Sequence, residues 1–458
     1  MLQRGVNCVD LSDTGTGKTY VATAVFNALK TPTLAIVPKI SVPDWHATAA
    51  AFGDTVSVVS YETLRTGRSP YGHWDNTPPP AFRCDTYYKC TSCQLVVDHD
   101  NYQPCFAHPA GIHCVEVKKI PWRYGKFNFH PAVKLTVWDE IHRCAAMDSL
   151  NGDMLVRAPL VLGLTATAAC TPMQMKALGQ VLGLHQGRDF LPWARRHGCG
   201  KIAGLPGFHW LKGPESQSGI MAKLNSEIVP SRGVRVRYTD IPGFPERRIV
   251  TKLFDIEGKE EINRLHVEMR EALDALENHR QGDKDMEHPL TKLTRIRQRL
   301  GLLKIPLAVE RTQDWIEKGY SVGIFINFKQ EMEELRRRLN CDCFIDGSPE
   351  GQKWRGRNME DFRADKARVI LVNSEAGGIA VNLQDIRGFF PRVGEVFPCQ
   401  SARTFKQLIG RFHREGAKTP CLYEILLAAG TEEIKIERKL KQKIDNLESL
   451  NDGDFTTV

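Results

Sequence analysis

The chain has 458 residues, of which 42% are hydrophobic and 25% are charged, and its formal net charge at pH 7 is +8. This length exceeds what one compact core usually fills, so we expect a soluble globular protein of two or three domains. The mild positive charge biases the chain toward polyanions. Because no apolar run is long enough to span a membrane, we expect a cytosolic or nuclear protein with no membrane partner.

The first element is an apolar, strand-like run at 5–11, which is followed by a glycine loop and then by a helix-type pattern. This order is that of a nucleotide-binding phosphate loop, in which backbone N–H groups face a polyphosphate. Lys18 would reach the β- and γ-phosphates, and the Thr19 hydroxyl would ligate Mg²⁺. Ser12 stands where the general pattern has its first glycine, and a chance Gly-Lys-Thr turn is the alternative interpretation. The residues that we assign to ATP binding are Ser12, Asp13, Thr14, Gly15, Thr16, Gly17, Lys18 and Thr19.

Further strand-like runs follow at 33–39, 55–60, 133–138 and 160–164, and they alternate with helical or polar stretches. Alternating strands and helices predict a parallel sheet with helices on its faces. The stretch 80–125 interrupts this pattern, so we interpret it as an insertion between strands.

The insertion is rich in cysteine, with five of the thirteen cysteines lying between positions 84 and 114. Two pairs, each separated by two residues, have the spacing of a tetrahedral zinc ribbon with three cysteines and one histidine. The predicted zinc ligands are Cys90, Cys93, Cys105 and His108, with Cys114 or His113 as alternates for the last. Four protein ligands leave no open position for a substrate, so the predicted role is structural. A cluster of ordinary thiols is the alternative.

The strand at 133–138 ends at a pair of carboxylates, Asp139 and Glu140. Magnesium prefers hard oxygen ligands, and ATP hydrolysis needs a group that orients or deprotonates the attacking water. We therefore predict that Asp139 ligates Mg²⁺ together with Thr19, and that Glu140 acts on the water.

The second half of the chain begins with a stretch that contains many Pro, Gly and Arg residues, at 228–248, which is typical of a linker. Apolar residues then recur at helical spacing, and a second α/β pattern starts near residue 321. The predicted domains are a first lobe at 1–235, a linker and helical region at 236–305, and a second lobe at 306–458.

Several segments together resemble superfamily 2 helicases and translocases. Asp139-Glu140-Ile141-His142 resembles their Asp-Glu-x-His box, and Thr165-Ala166-Thr167 is similar to motif III. The remaining similar segments are 37–39 (motif Ia), 60–64 (the next motif of Snf-type translocases), 376–384 (motif V) and 407–414, which has the Gln-x-x-Gly-Arg-x-x-Arg pattern of motif VI.

This resemblance implies two RecA-like lobes with ATP in the cleft between them. By the same resemblance, the motif VI arginines would face the γ-phosphate, where such a guanidinium stabilises the transferring phosphoryl group. The implied catalytic residues are Lys18, Asp139, Glu140, Arg411 and Arg414, and the resemblance adds Gln407 and Gly410 to the ATP-binding residues. The residues that would touch a nucleic-acid backbone are Lys39, Thr63, Gly377, Gly378 and Asn382. In many relatives a glutamine segment upstream of the loop reads adenine. Gln3 lies too close to the loop to take that role, so we expect either altered base selectivity or a further N-terminal piece that carries this segment.

The expected activity is that of an ATP-dependent DNA helicase or translocase with ATP, Mg²⁺ and Zn²⁺ as cofactors. The segments at 293–303 and 430–433 resemble Snf-type proteins, which favours duplex DNA and sequence-independent backbone contacts over RNA. The compact organisation resembles phage or viral helicases, which would place the protein in a host cytoplasm, and a monomer is favoured. The alternatives are an RNA helicase, a restriction-type motor subunit, and a zinc-ribbon nucleic-acid-binding module on an inactive ATPase scaffold.

Overall fold

The structure, a computed structural model, describes residues 1–53, 56–75, 86–90, 96–98, 114–118, 125–201, 208–211, 214–278, 289–374, 381–397, 402–431 and 433. Within the predicted zinc insertion it describes only the backbone of the three strands at 86–90, 96–98 and 114–118. In the described residues, no helix is both long and apolar enough to cross a membrane.

The first half of the chain contains thirteen strands and seven α-helices among its described residues, together with short 3₁₀ turns. The strands are β1 (Cys8–Asp10), β2 (Thr33–Val37), β3 (Ser57–Ser60), β4 (Gly72–Asp75), β5 (Thr86–Cys90), β6 (Val96–Asp98), β7 (Cys114–Lys118), β8 (Lys126–Phe129), β9 (Leu135–Asp139), β10 (Leu160–Leu164), β11 (Cys199–Gly200), β12 (His209–Trp210) and β13 (Gly233–Val234). The helices are α1 (Lys18–Leu29), α2 (Val42–Ala51), α3 (Tyr61–Arg65), α4 (Leu150–Val156), α5 (Lys176–Val181), α6 (Phe190–Arg196) and α7 (Pro214–Ile228).

The first lobe is built on a six-stranded parallel sheet whose order is β13-β1-β10-β9-β2-β3. Its central strands are buried on both faces, as the near-continuous apolar runs of β2, β9 and β10 require. The carboxyl ends of β1, β9 and β10 meet at one edge of the sheet. This edge therefore carries the phosphate loop after β1 and the carboxylates at the end of β9.

The second half contains the remaining elements. The strands are β14 (Arg247–Phe254), β15 (Ser321–Ile326), β16 (Phe344–Ile345), β17 (Val369–Asn373), β18 (Arg392–Val396) and β19 (Cys421–Ala428). The helices are α8 (Lys259–Asn278), α9 (Pro289–Leu302), α10 (Ile305–Glu317), α11 (Lys329–Leu339), α12 (Pro349–Arg363) and α13 (Ala402–Ile409).

The second lobe has a parallel sheet of the same size, ordered β14-β19-β18-β15-β17-β16. The prediction of two parallel-sheet α/β lobes is therefore confirmed. The predicted linker and helical region, 236–305, also supplies β14 as an edge strand of this sheet. Most of the side chains of β14 are half-buried or exposed, so its sequence lacks the apolar run that marks a central strand.

The helical elaboration before the second α/β pattern is a pair of packed helices, α8 and α9. Their shared core consists of Ile262, Leu265, Met269, Ala272, Leu293, Ile296 and Leu300. This apolar stripe recurs at helical spacing, which is why the sequence predicts the pair.

Candidate active site

The phosphate loop lies between β1 and α1. Gly15 and Gly17 have φ angles of 82° and 83°, in the left-handed region that favours glycine because it has no Cβ. Gly17 is the residue that precedes the first turn of α1, which begins at Lys18. The loop therefore turns directly onto a helix N-terminus, which is the geometry of a phosphate site.

Lys18 lies inside this loop. Its Nζ donates to the carbonyl oxygens of Ser12, at 2.9 Å, and of Asp13, at 2.7 Å. Burial lowers the pKa of Lys18, while neighbouring carboxylates, Glu140 and Asp139 among them, favour its charged form. The ammonium is thus held between the loop and the carboxylates of β9.

Asp139 is fixed from two sides by aromatic side chains. Its Oδ2 accepts a hydrogen bond from Trp45 Nε1 on α2, and its backbone oxygen accepts one from the Tyr61 hydroxyl on α3, each at 2.9 Å. Burial, followed by the charge of Glu140, raises the pKa of Asp139. Asp139 lies at the end of β9, at the sheet edge that also carries the phosphate loop, and a carboxylate is the kind of ligand that magnesium prefers.

Glu140 has a left-handed backbone with φ 54° and ψ 49°, which is strained for a residue with a side chain. Burial opposes its ionisation, but the hydrogen bond from His142 and the charges of Lys18 and Arg411 outweigh burial and lower the pKa of Glu140. Glu140 is therefore the member of the carboxylate pair that ionises more readily. An ionised carboxylate can orient an attacking water or accept its proton.

His142 connects several of the predicted motifs. Its Nδ1 lies 3.2 Å from Glu140 Oε2, 3.0 Å from Thr165 Oγ1 and 3.2 Å from Thr167 Oγ1. Its Nε2 accepts a hydrogen bond from Gln407 Nε2, at 3.2 Å, and Gln407 belongs to the second lobe. The imidazole thus joins the carboxylate pair, the threonines after β10 and the motif VI segment.

The two motif VI arginines face the first lobe. Arg411 is buried and donates to the carbonyl oxygen of Val381 at 3.3 Å, and Arg414 Nε donates to Gly410 O at 2.8 Å. Burial lowers the pKa of Arg411 to about 9 and also lowers that of Arg414, while Glu140 favours the charged form of both. Positive charge from the second lobe therefore acts on the carboxylate of the first.

The loop and motif VI are in direct contact. Glu415 N donates to Gly15 O at 3.4 Å. A Cβ on Gly410 would lie 2.5 Å from Thr14 Oγ1, and a Cβ on Gly15 would lie 2.9 Å from Arg414 Cγ. Both glycines therefore allow an approach of the two lobes that any side chain would block.

The predicted nucleic-acid residues are only partly described. Lys39 follows β2, and Thr63 lies in α3 after β3; both are exposed. Because β2 and β3 are adjacent and parallel, these two positions lie along the same edge of the first sheet. Asn382 is half-buried in the second lobe. Gly377 and Gly378 lie outside the described residues.

The side chains of the predicted zinc ligands and of their alternates also lie outside what the structure describes. The backbone of β5 pairs with that of β7, so that Cys90 and Cys114 stand opposite each other in the antiparallel register. Across the described side chains, no group of three or more His, Cys, Asp or Glu could hold a metal ion. Zinc therefore stays a prediction from sequence.

The sequence did not identify a third arginine that belongs to this cleft. Arg355 lies on α12 and is buried, and burial lowers its pKa to about 10 while Asp44, on α2 of the first lobe, acts in the opposite direction. Its charge also lowers the pKa of Arg411. None of the segments assigned to motifs above lies on α12, so the signal for Arg355 in the sequence is its helical spacing with the buried residues Gly351, Asn358 and Phe362.

A second feature missed from sequence is the clamp, which we define as Asp13, Arg235 and Tyr238. Arg235 Nη1 lies 3.0 Å from Asp13 Oδ1, and both side chains are largely buried. Tyr238 N donates to Asp13 Oδ2 at 3.1 Å. Ser12 Oγ accepts a hydrogen bond from Val236 N at 3.0 Å, so the serine in place of the usual glycine anchors the linker.

The linker continues from the clamp to motif VI. The His413 ring lies edge-on to the rings of Tyr238, at 4.6 Å, and Phe244, at 4.8 Å, and its Nε2 donates to Pro245 O at 2.8 Å. Burial lowers the pKa of His413 to about 4, which makes it neutral at physiological pH. The linker thus touches both halves of the site.

Comparisons with known proteins found similarities to helicases. Residues 304–416 match the family described as helicase conserved C-terminal domain, and this range includes Gln407, Arg411 and Arg414. A protein of Acanthamoeba polyphaga mimivirus, named "Putative ATP-dependent RNA helicase", is 27% identical over an alignment of 462 positions that covers 98% of this chain and 80% of the relative. A solved structure of S. cerevisiae Dbp5 bound to RNA and ADP BeF3 is 10% identical, covers 96% of this chain and 84% of its own, and has a TM-score of 0.46.

Proposed function

We propose that this chain, a helicase-type ATPase of superfamily 2, couples the hydrolysis of ATP to movement along a nucleic acid. The observation that carries the proposal is the shared contact of the two lobes at His142, where the carboxylate pair of one lobe meets Gln407 of the other. A change at the phosphates would reach the second lobe through this contact. That is what a motor requires of its ATP site.

Each residue has a role in this proposal. The loop N–H groups and Lys18 would hold the phosphates, Glu140 would orient the attacking water, and the guanidinium groups of Arg411 and Arg414 would stabilise the charge that develops on the transferring phosphoryl group. Thr19 and Asp139 would hold Mg²⁺, which neutralises phosphate charge when bound.

For the polymer, we propose RNA ahead of duplex DNA. The mimivirus relative is named an RNA helicase. Duplex DNA rests only on the similarity of two short segments to Snf-type proteins. The contacts would be to the sugar-phosphate backbone, from the edge that carries Lys39 and Thr63, and would not read sequence. The cytoplasm remains the proposed location.

The test is the ATPase rate of the full chain without nucleic acid and with RNA, single-stranded DNA or duplex DNA. We expect RNA to stimulate the rate most. Lys18→Ala should abolish hydrolysis, whereas Lys30→Ala, at the exposed end of α1, should not change it. A rate that no polymer raises would contradict the motor function, and stimulation by DNA alone would contradict the choice of RNA.

We also propose that the insertion binds one structural zinc ion. Metal analysis of the purified chain should find about one zinc per chain, because four ligands of this kind form a closed tetrahedral site. Cys90→Ser should lose the metal and Cys170→Ser, outside the insertion, should keep it. Undiminished zinc in Cys90→Ser would reject the ligand set.

A further inference from the structure

Large apolar side chains are exposed together beside the phosphate loop. Tyr20, in the first turn of α1, is 56% exposed, and Val21 is 51% exposed. The ring of Tyr20 lies 6.2 Å from that of Phe52, which is 40% exposed. An isolated exposed aromatic residue is ordinary on a protein surface, but this one lies two residues after Lys18.

The phosphate loop fixes the orientation of a bound nucleotide. Lys18 reaches the β- and γ-phosphates, and the loop N–H groups cradle the α- and β-phosphates. In the proposed function, Glu140 and Arg411, which interact electrostatically, lie at the γ-phosphate end of the nucleotide. The nucleoside therefore leaves the loop on the side of the first turn of α1, where Tyr20 lies.

Glu415 of the second lobe lies near the same part of the loop as Tyr20. A Cβ on Gly17 would lie 3.8 Å from Tyr20 Cδ2 and 3.8 Å from Glu415 Oε2. The backbone of Glu415 is held against the loop through Gly15. An aromatic ring and a carboxylate, one from each lobe, therefore flank the last glycine of the loop.

These two groups match the two parts of a nucleoside. Bases stack on aromatic rings, and a carboxylate accepts hydrogen bonds from ribose hydroxyls. We propose that Tyr20 and Glu415 form the nucleoside subsite of the ATP site: the Tyr20 ring stacks on adenine, and the Glu415 carboxylate accepts a hydrogen bond from the ribose. This subsite rests on the proposed ATPase function.

The test is the steady-state KM for ATP and for dATP in the full chain with its stimulating polymer. Tyr20→Ala should raise the KM for ATP by about tenfold and leave kcat unchanged, since one stacking contact is lost. Tyr20→Phe should stay within about twofold of the parent, because the ring is kept. Glu415→Gln should raise the KM for ATP, and it should raise the KM for dATP less, because dATP lacks the ribose 2′-hydroxyl. Phe389→Ala, an exposed aromatic residue elsewhere, should match the parent.

Inorganic tripolyphosphate separates a base contact from support of the loop. It carries the phosphates without a nucleoside, so its inhibition constant should be the same in Tyr20→Ala and in the parent. A KM for ATP that Tyr20→Ala leaves unchanged would overturn the subsite, and so would an inhibition constant for tripolyphosphate that rises together with the KM.

The proposed function can fail separately. Equilibrium dialysis with labelled ATP measures binding without hydrolysis. A chain that binds ATP through Tyr20 and does not hydrolyse it with any polymer would contradict the motor and uphold the subsite.

Discussion

Arg355 adds positive charge to a cleft that already contains the motif VI arginines. Its charge acts on both Asp44 and Arg411. Arginines that stabilise the transferring phosphoryl group contribute about 10³-fold to 10⁵-fold to kcat, so we expect Arg355→Ala, one step removed, to lower kcat of the ATPase by about tenfold or more. Arg357→Ala is the matched control, since Arg357 lies on the same helix with a side chain that is 71% exposed. Equal rates for the two variants would show that Arg355 is only structural.

Glu331 makes stability depend on pH. Its Oε2 accepts hydrogen bonds from the N–H groups of Asn327, at 2.8 Å, and Phe328, at 3.0 Å, whereas its Oε1 is buried without a partner among the described residues. Burial raises the pKa of Glu331 from 4.5 to about 7, although these N–H groups and Lys304 lower it. The folded state therefore favours the protonated acid, and the stability that this provides is lost as pH rises from about 4.5 through 7.

We expect Glu331→Gln to remove this dependence. A pKa raised from 4.5 to about 7 corresponds to about 3 kcal/mol. The parent should lose this stability as pH rises from about 4.5 to about 8 and the variant should not, so the free energy of unfolding of the variant minus that of the parent should rise by about 3 kcal/mol. Urea unfolding of the second lobe at several pH values measures it. Glu333→Gln, at an exposed neighbouring position, should follow the parent. A constant difference between Glu331→Gln and the parent would refute the shift.

At the level of single residues, the sequence predicts roles for those that need a fixed residue type at a fixed spacing. Lys18 and Asp139 are predicted because phosphate and magnesium chemistry constrains both the side chain and its distance from a strand end. Arg355 has no such constraint, since a guanidinium can reach a cleft from several helices. Its inward direction is a property of packing between lobes, which a single sequence does not encode locally.

Among the elements, the linker after β13 is bound to the phosphate loop by the clamp. Arg235→Met would leave Asp13 buried without its ion-pair partner, which is a costly arrangement. We expect the KM for ATP to rise by about tenfold or more and the first lobe to unfold at a lower temperature. Kinetics and thermal unfolding measure both effects.

The control for the clamp is Arg248→Met, since Arg248 lies further along the same segment in an exposed ion pair with Glu246. The double variant Asp13→Asn with Arg235→Met should recover part of the lost stability, because no charge is left unpaired. If Arg235→Met behaves like Arg248→Met, the clamp has no role in holding the loop.

The elements differ in how well the sequence predicts them. The runs at 160–164 and 321–326 coincide with β10 and β15, because central parallel strands are apolar on both faces. By contrast, β14 is an edge strand in which pairs of polar residues interrupt the apolar ones, and its partner β19 is far away in sequence. Only that pairing makes it a strand. The clamp is also a product of long-range pairing, since Asp13 and Arg235 meet through β1 and β13.

The whole molecule depends on close approach of its two lobes at Gly410 and Thr14. Gly410→Ala would place a methyl group in a space that Thr14 occupies, so the lobes could not reach this arrangement without displacement. We expect kcat to fall by about tenfold or more, because the motif VI arginines would be held away from the phosphates. The ATPase rate measures this effect, and X-ray scattering with an ATP analogue and RNA should show a less compact chain.

Thr14→Gly offers a direct check on Gly410→Ala. In the double variant Gly410→Ala with Thr14→Gly, the clash disappears with the threonine side chain, so part of the ATPase rate should be restored. Gly356→Ala, on α12 with open space around it, should be neutral. A Gly410→Ala chain that closes and turns over like the parent would contradict the steric argument.

The contact between His142 and Gln407 has a further consequence for protons. The Gln407 amide and the His142 imidazole constrain each other: an amide nitrogen facing Nε2 requires the tautomer with its hydrogen on Nδ1, toward Glu140, whereas a hydrogen on Nε2 requires the amide oxygen. A second proton on Nε2 would meet the NH₂ group of Gln407, and the bond would survive only if the amide turned to present its oxygen. The orientation of the Gln407 amide in the second lobe thus depends on the protonation state of the His142 imidazole in the first.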